Sequence, residues 1–396
     1  MNHQQMLKLE QAGQVWLQQL PQDWQIWLEQ NLQRGCSEEQ LMAVLKQHGL
    51  APSQVFEPGD IDIDQSLREF VLERSLAGDG GAEIIADGMA KGWPAAQIEE
   101  TYLDLTVDPV FRKLLQTQQK LNKCSWMMRT QDRLRQLQPN YAAQIERKSV
   151  PGFSEFVQQH YSLQVPVILL HGIEHWPARH QWSPEYFAAH FPEQMIEVQM
   201  HRQSDPNFER NSPQLKRLTL MRDFISKLMA VQYSNDMYLT ANNAAQNKLL
   251  MQALQKDIAD FGTGYCDLTQ SERQFLWMGP AGTFTPLHYD LTNNMLVQLY
   301  GRKKVTLIPA LQMPDMYNHC WVFSELNCLD NADLKQYPQL QHVTPLECVL
   351  EPGEALFIPI GWWHSVESLD VSISLSFTNF NQMNQFYNEY PSDLIK

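Results

Sequence analysis

The chain has 396 residues, 43% of them apolar and including 11 Trp, 17 Phe and 13 Tyr, which is ample for packed cores in two or three domains and excludes a disordered chain. Its formal net charge of −15 repels a phosphate backbone, so nucleic acid is a poor partner; a basic peptide or protein suits it better, although many soluble proteins are simply acidic.

Six cysteines (36, 124, 266, 320, 328 and 348) are scattered without a C-x-x-C, the usage of a reduced cytosolic protein rather than of a disulfide scaffold or a zinc ribbon. The N-terminal "MNHQQMLKLEQAGQVW" has no apolar signal-peptide core, and no run approaches the ~18 apolar residues of a membrane span, so a cytoplasmic protein is expected.

Residues 1–148 read as helix. Apolar residues recur at three- and four-residue spacing in "WQIWLEQNLQRG" and in "EEQLMAVLKQHGL", with Ser37 as N-cap, Gln40 in the capping-box position and Gly49 as C-cap. "NLQRGCSEEQL" (31–41) is echoed by "GMAKGWPAAQI" (88–98), which predicts two related pairs of helix, Gly turn and helix, the second pair using Pro94 to start its second helix. Such pairs would pack together or against a partner subunit, and a homodimer is one expectation. A longer helix is predicted over 109–137.

"RKSVPGF" (147–153) is the expected boundary between a helical domain, 1–148, and a second domain, 149–396. Beyond it "VPVILL" is β-rich, and strand-like segments dominate from 275 onward. "NMLVQLY" and "KVTLIP" flank Gly301-Arg302 as a predicted hairpin, and "LECVLEPGEALFIP" centres a turn on Pro352-Gly353. "VSISLSF" (371–377) alternates apolar residues with serines, which suits a barrel or sandwich whose interior is partly polar.

"TPLHYD" holds His288 and Asp290, two apart and therefore on one face of a strand, and "IPIGWWHSVES" adds His364. Two imidazoles and one carboxylate make the facial triad of non-haem Fe(II) oxygenases. Three ligands on one face of an octahedral metal leave three positions for a bidentate co-substrate and O₂; zinc would accept the same ligands but lacks the redox chemistry. An H-x-D pair is common by itself, and its context carries the specificity: "GTFTPLHYDLTNNMLVQLYGRKKVTLIPA" and "LEPGEALFIPIGWWHSVESLDVSISLSF".

Those stretches resemble the cupin-like JmjC family of Fe(II)- and 2-oxoglutarate-dependent oxygenases, and within it the branch containing the asparaginyl hydroxylase that inhibits hypoxia-inducible factor. The resemblance covers roughly 151–380 and includes the segment "FSEFVQQHYSLQVPVILLHGIEHWPARHQWSPEYF". It implies an α+β chain, with a C-terminal double-stranded β-helix of jelly-roll type preceded by an all-helical domain. It implies that His288, Asp290 and His364 bind Fe(II), and that Thr285, Lys303 and Tyr238 hold the distal carboxylate of 2-oxoglutarate. Lys304 is the neighbouring alternative, but adjacent strand residues face opposite ways and the match favours Lys303. Asn294 matches the asparagine near the co-substrate's iron-binding end, and Ser376 stands where that branch has a second asparagine.

Other signals are weaker. Trp362 and Trp363 read as core. His171, His175 and His180 lack the zincin glutamate and fall on a packing segment of the family. Asp60, Asp62 and Asp64 have calcium-loop spacing, but Gln65 and Val71 replace the required Gly and Glu, so an acidic helix entry is expected. The resemblance implies hydroxylation of a C–H bond, with succinate and CO₂ as co-products, and a protein or peptide side chain as the favoured substrate. A small molecule, an N-methyl-lysine, or a non-catalytic binding or scaffold role are the alternatives.

Overall fold

The computed structural model describes residues 63–137 and 144–391, apart from 263 and 331, together with Pro21, Trp24, Leu41, Val44 and Leu45. Apart from those isolated positions, the first helix pair and Asp60 and Asp62 lie outside the described residues. Four helices open the described chain: α1 (Ile63–Ala77), α2 (Gly81–Ala90), α3 (Ala95–Val107) and α4 (Pro109–Gln136). The second copy of the echo is α2, a turn at Gly92 in the left-handed region (φ +98°), and α3 with Pro94 at its N-cap. Leu67, Phe70, Val71, Ile84, Ile98, Leu105 and Phe111 form its core. Gly88 lets α3 approach closely, because a Cβ there would stand 2.8 Å from Ile98 Cδ1.

The chain divides into two compact units at 121/122, inside α4 and ahead of the boundary expected at 148/149. The second half of α4 belongs with the β-rich unit. Arg129 Nη2 donates to Asp315 Oδ1 (2.6 Å), Gln312 Nε2 donates to Asp132 Oδ2 (3.0 Å), and Arg135 lies over the Trp362 ring (5.1 Å). The expected linker is itself a strand, β1 (Glu146–Ser149), paired in parallel with β2 (Val167–Leu170).

The second unit contains a jelly roll of two facing six-stranded sheets. One sheet runs β1-β2-β13-β8-β15-β6, with β6 (Gln274–Gly279), β8 (Asn294–Tyr300), β13 (Ala355–Ile358) and β15 (Ser372–Phe377). The other runs β10-β11-β7-β14-β9-β12, with β7 (Phe284–Tyr289), β9 (Lys303–Ile308), β10 (Asn318–Cys320), β11 (Phe323–Ser324), β12 (Leu346–Leu350) and β14 (Trp363–Ser368). From β6 to β9 and from β12 to β15, consecutive strands alternate between the sheets, which is the double-stranded β-helix expected. A small sheet, β4-β3-β5, uses β3 (Met195–Met200), β4 (Lys216–Leu220) and β5 (Met237–Tyr238).

This alternation corrects one expectation. Gly301-Arg302 does not close a hairpin, since β8 and β9 lie in opposite sheets. Gly301, at φ +66°, turns the chain across the gap, where a Cβ would collide with the carbonyl oxygen of Val371. Gln298 Nε2 holds the crossing by donating to the carbonyls of Tyr300 and Gly301, both at 2.8 Å. The Pro352-Gly353 turn forms as expected, with Glu354 N donating to Glu351 O (3.1 Å) and Gly353 at φ +105°. It too joins strands of opposite sheets.

Both faces of the first sheet are buried. Met295, Val297, Leu299, Ile373, Leu375 and Phe377 point outward into a core built with Phe156, Trp176 and Phe187. The opposite face looks into the roll, where one end is filled by Leu296, Val305, Leu307, Leu356 and Trp362. The serines of β15 face the polar remainder, as their alternation predicted, and each is satisfied. Ser372 bonds Ser368 (2.9 Å), Ser374 donates to Gln298 Oε1 (2.7 Å), and Ser376 accepts from Trp277 Nε1 (2.8 Å).

Replacing Gly301 with Ala forces both a left-handed backbone and a clash with main chain, which flexible side chains cannot relieve. We expect Gly301→Ala to lower unfolding stability by about 3 kcal/mol or to prevent folding, read as a lower urea midpoint at unchanged slope.

Candidate functional site

The site begins with strand register. β7 and β14 are antiparallel, and His288 stands directly opposite His364. The next recorded pair is Thr285 with Val366, so three steps on β7 match two on β14. That one-residue bulge decides what the cavity contains. Thr285 and His288 differ by an odd number and would face opposite sides of a regular strand, yet both line the same cavity.

Asp290 follows the end of β7, its carbonyl accepting from Gly361 N (3.1 Å). His288 Nε2 lies 3.8 Å from Asp290 Oδ1, and His364 Nε2 lies 3.8 Å from Asp290 Oδ2. One ligand atom from each residue fits within 4.8 Å of the others, and among the described residues this is the one such group of His, Cys, Asp or Glu. His171, His175 and His180 are not gathered; His171 pairs with Glu174, and His180 bonds the Glu174 carbonyl.

The hydrogen bonds fix the tautomers. His288 Nδ1 meets the Pro286 carbonyl at 2.7 Å and His364 Nδ1 meets the Trp362 carbonyl at 3.0 Å. A carbonyl only accepts, so each Nδ1 carries the proton and each Nε2 presents a lone pair to the centre. Burial, and next the neighbouring His288, push His364 below its ordinary value, which keeps it neutral and able to bind metal. Asn294 Nδ2 donates to Asp290 Oδ2 (2.9 Å), while Asn294 Oδ1 is buried without a partner among the described residues.

The cavity has a volume of about 450 Å³ and takes in every residue named from the sequence: Tyr238, Thr285, His288, Asp290, Asn294, Lys303, His364 and Ser376. At its deep end Lys303 is 1% exposed, and Nζ donates to Tyr238 Oη (3.0 Å). It has no carboxylate partner among the described residues, and burial lowers it from 10.5 to about 7. Burial pushes the Tyr238 phenol up, so its O–H remains a donor. Lys304, the rejected alternative, faces the other way and pairs with Glu347 (2.9 Å). Trp362 and Trp363 are core, as expected.

Sequence reasoning missed several cavity residues. Phe275 and Trp277 lie on the inward face of β6, a signal available in the two-residue alternation that leads into "GPAGTFTPLH". Trp321 and Phe323 reach the mouth from the β10–β11 hairpin, which pairs with β7 at Phe323–His288. Behind the cavity wall, Arg202 is fully buried, ion-paired to Glu209 (2.8 Å) and stacked over Tyr238 at 5.2 Å.

A model of the cupin-like domain matches residues 153–388. The chain belongs to the cupin-like JmjC family. Its similar proteins include "Lysine-specific demethylase JMJ30" of Arabidopsis thaliana, 32% identical over 241 residues that cover 59% of this chain and 54% of the relative. "Lysine-specific demethylase 8" of Xenopus tropicalis is 30% identical over 243 residues, covering 59% and 52%. "tRNA wybutosine-synthesizing protein 5" of Gallus gallus is 28% identical over 233 residues, covering 56% and 72%. The chain thus spans about half the length of the first two relatives. Members of this JmjC family depend on Fe(II) and 2-oxoglutarate.

The residues present fit both groups. Two Nε2 lone pairs and a carboxylate converge as an oxygen-and-nitrogen donor set suited to ferrous iron. A buried ammonium without a counter-charge suits the distal carboxylate of a dicarboxylate. The charged Lys303 carries its burial cost at and below about pH 7, and that cost fades as pH rises toward 10.5, because the unfolded chain holds the proton throughout that window. Ligand-free Lys303→Met should therefore be more stable than the parent by about 2 kcal/mol or more at pH 7, with the gap closing toward pH 10. In the parent, 2-oxoglutarate affinity should fall as pH rises above 7, since the ligand needs the ammonium. Melting curves and calorimetric titrations across pH read both effects.

Proposed function

We propose that this chain is an Fe(II)- and 2-oxoglutarate-dependent oxygenase that hydroxylates a C–H bond on a protein or peptide side chain. The observation that carries the reading is one cavity holding both a converged His288–Asp290–His364 group and the uncompensated Lys303 ammonium. In that reading the triad holds iron, and Lys303, Tyr238 and Thr285 hold the distal carboxylate. Asn294 steadies Asp290 through the 2.9 Å bond, and Ser376, oriented by Trp277, keeps its own O–H for the co-substrate or substrate. Iron with 2-oxoglutarate supplies the oxidant: one oxygen of O₂ enters the substrate C–H bond and the other enters succinate as CO₂ leaves.

The protein's own contribution is placement and exclusion of water. Carbonyl bonds to both Nδ1 atoms fix the imidazole planes before metal arrives, and the bulge on β7 puts the co-substrate contact and the metal ligand on one side. A polypeptide substrate is supported by the mouth, where Trp321 and Tyr387 are 51% and 44% exposed and leave the cavity open to a chain. The names of the two demethylase relatives support a second reading, N-methyl-lysine demethylation, in which hydroxylating the methyl gives a hemiaminal that collapses to the amine and formaldehyde.

The test is to load the protein with Fe(II), add 2-oxoglutarate and O₂, and follow succinate. Turnover, even without a prime substrate, is expected. His288→Ala should lose metal-dependent 2-oxoglutarate binding. Lys303→Ala should weaken 2-oxoglutarate by about 30-fold or more while iron stays bound. Absence of both iron binding and succinate would overturn the proposal.

A further inference from the structure

The cavity holds a cation that neither the triad nor the Lys303 end uses. Arg273 stands one residue before β6, and Arg273, Phe275 and Trp277 all line the cavity, as alternate positions of one strand face do. Trp277 marks the deep end, with Lys303 Nζ 5.9 Å from its ring centroid. Four residues of strand span about 13 Å, so Arg273 occupies the far end of this row. Its main chain is held there, the carbonyl accepting from Thr378 N (3.0 Å) and Thr378 Oγ1 (3.3 Å).

The half-buried guanidinium of Arg273 has no hydrogen-bond or ion-pair partner among the described residues. The carboxylates that line the cavity are already committed: Glu209 to the buried Arg202 (2.8 Å) and Asp290 to the two histidines. A guanidinium presents a planar fork of donors that matches a carboxylate in two parallel bonds.

We infer that Arg273 determines specificity by binding a carboxylate of the prime substrate, at the end of the cavity remote from Lys303. The inference rests on the oxygenase reading for what the bound molecule is. Two cations at opposite ends then sort two anions, the co-substrate at Lys303 and the prime substrate at Arg273. The aromatic rim of Trp321, Phe323 and Tyr387 offers apolar surface to the stem between carboxylate and reacting carbon. The net charge of −15 opposes long-range attraction of such a substrate. Screening over about 8 Å confines that effect to encounter, and the contact at Arg273 acts within it.

An Asp or Glu side chain, a peptide C-terminus and a free amino acid all present this group, and three sets of probes separate them. Full-length protein loaded with Mn(II) and 2-oxoglutarate, without O₂, is titrated with short peptides in which Asp or Glu is exchanged for Asn or Gln. It is also titrated with peptides bearing free or amidated C-termini, and with amino acids and their amides. In one set the carboxylate form should bind about tenfold tighter or more than its amide. Arg273→Gln should erase that preference while 2-oxoglutarate affinity and melting temperature stay unchanged, and Arg273→Lys should keep part of it. No carboxylate preference in any set, a preference for basic peptides, or a preference that survives Arg273→Gln would overturn the inference. Failure to bind 2-oxoglutarate would count against the oxygenase reading alone, because the carboxylate preference can still be read on the Mn(II)-loaded protein.

Discussion

The site depends on the register between β7 and β14. Opposite pairing of His288 and His364 brings the two ring centroids to 4.2 Å, and only then can Asp290, just past the strand end, reach both Nε2 atoms at 3.8 Å. A slip of one residue would turn either histidine to the opposite face and dismantle the group. The β7 bulge adds what regular pairing cannot, a hydroxyl three residues before a ligand on the same side. The converged His288–Asp290–His364 group and the Thr285 hydroxyl are therefore set by one strand pair.

A polar interior in a jelly roll is stable only if its groups are satisfied, and the chain divides that labour by region. One end of the roll is filled by aliphatic side chains and Trp362. At the other end Thr283 donates to Ser368 (2.7 Å), Ser368 bonds Ser372 and Ser374 bonds Gln298, so the hydroxyls beside the cavity are mutually bonded. Among the described residues that line the cavity, Lys303's charge, Asn294 Oδ1 and the Arg273 guanidinium have no partner. Each lines the cavity, which is where a ligand would complete it.

Much of this was legible in the chain. The alternation of "VSISLSF" announced a polar inner face, and residue parity put His288 with Asp290 and separated Lys303 from Lys304. The hairpin at Gly301-Arg302 was misread because a two-residue Gly link between apolar runs has the same local signature whether the next strand pairs alongside or crosses to a facing sheet. What separates the two is long-range, the close passage of the Val371 carbonyl over Gly301. Thr285 came from the family pattern, whereas parity alone places it on the wrong side, because a bulge is invisible without its partner strand. The sequence places the domain boundary in "RKSVPGF" (147–153), between 148 and 149. The division falls within α4 because Arg129, Asp132 and Arg135 are committed to the β domain, through contacts 29 to 227 residues away in sequence that no local composition reveals.

The neighbours of His288 and His364 tie β7 and β14 to the cavity mouth. Tyr289 and Trp363, each next to a histidine of the converged group, are paired across the same two strands and point the opposite way. Their rings meet edge to face at 4.7 Å in a buried cluster with Leu287, Ile308 and Met316. Tyr289 Oη also bonds Tyr390 Oη at 2.5 Å, and Tyr390 in turn donates to the Trp321 carbonyl (3.0 Å) at the cavity mouth. Trp321 sits in the left-handed region (φ +44°), a conformation a bulky residue keeps only when its surroundings hold it, and Asn318 Nδ2 (2.9 Å) and Tyr289 Oη (3.4 Å) also donate to the same carbonyl. The apolar backing of β7 and β14 and the strained tip at the entrance are thus one connected structure. These bonds hold the Trp321 main chain at the cavity mouth, so little backbone freedom there remains to be lost when something binds.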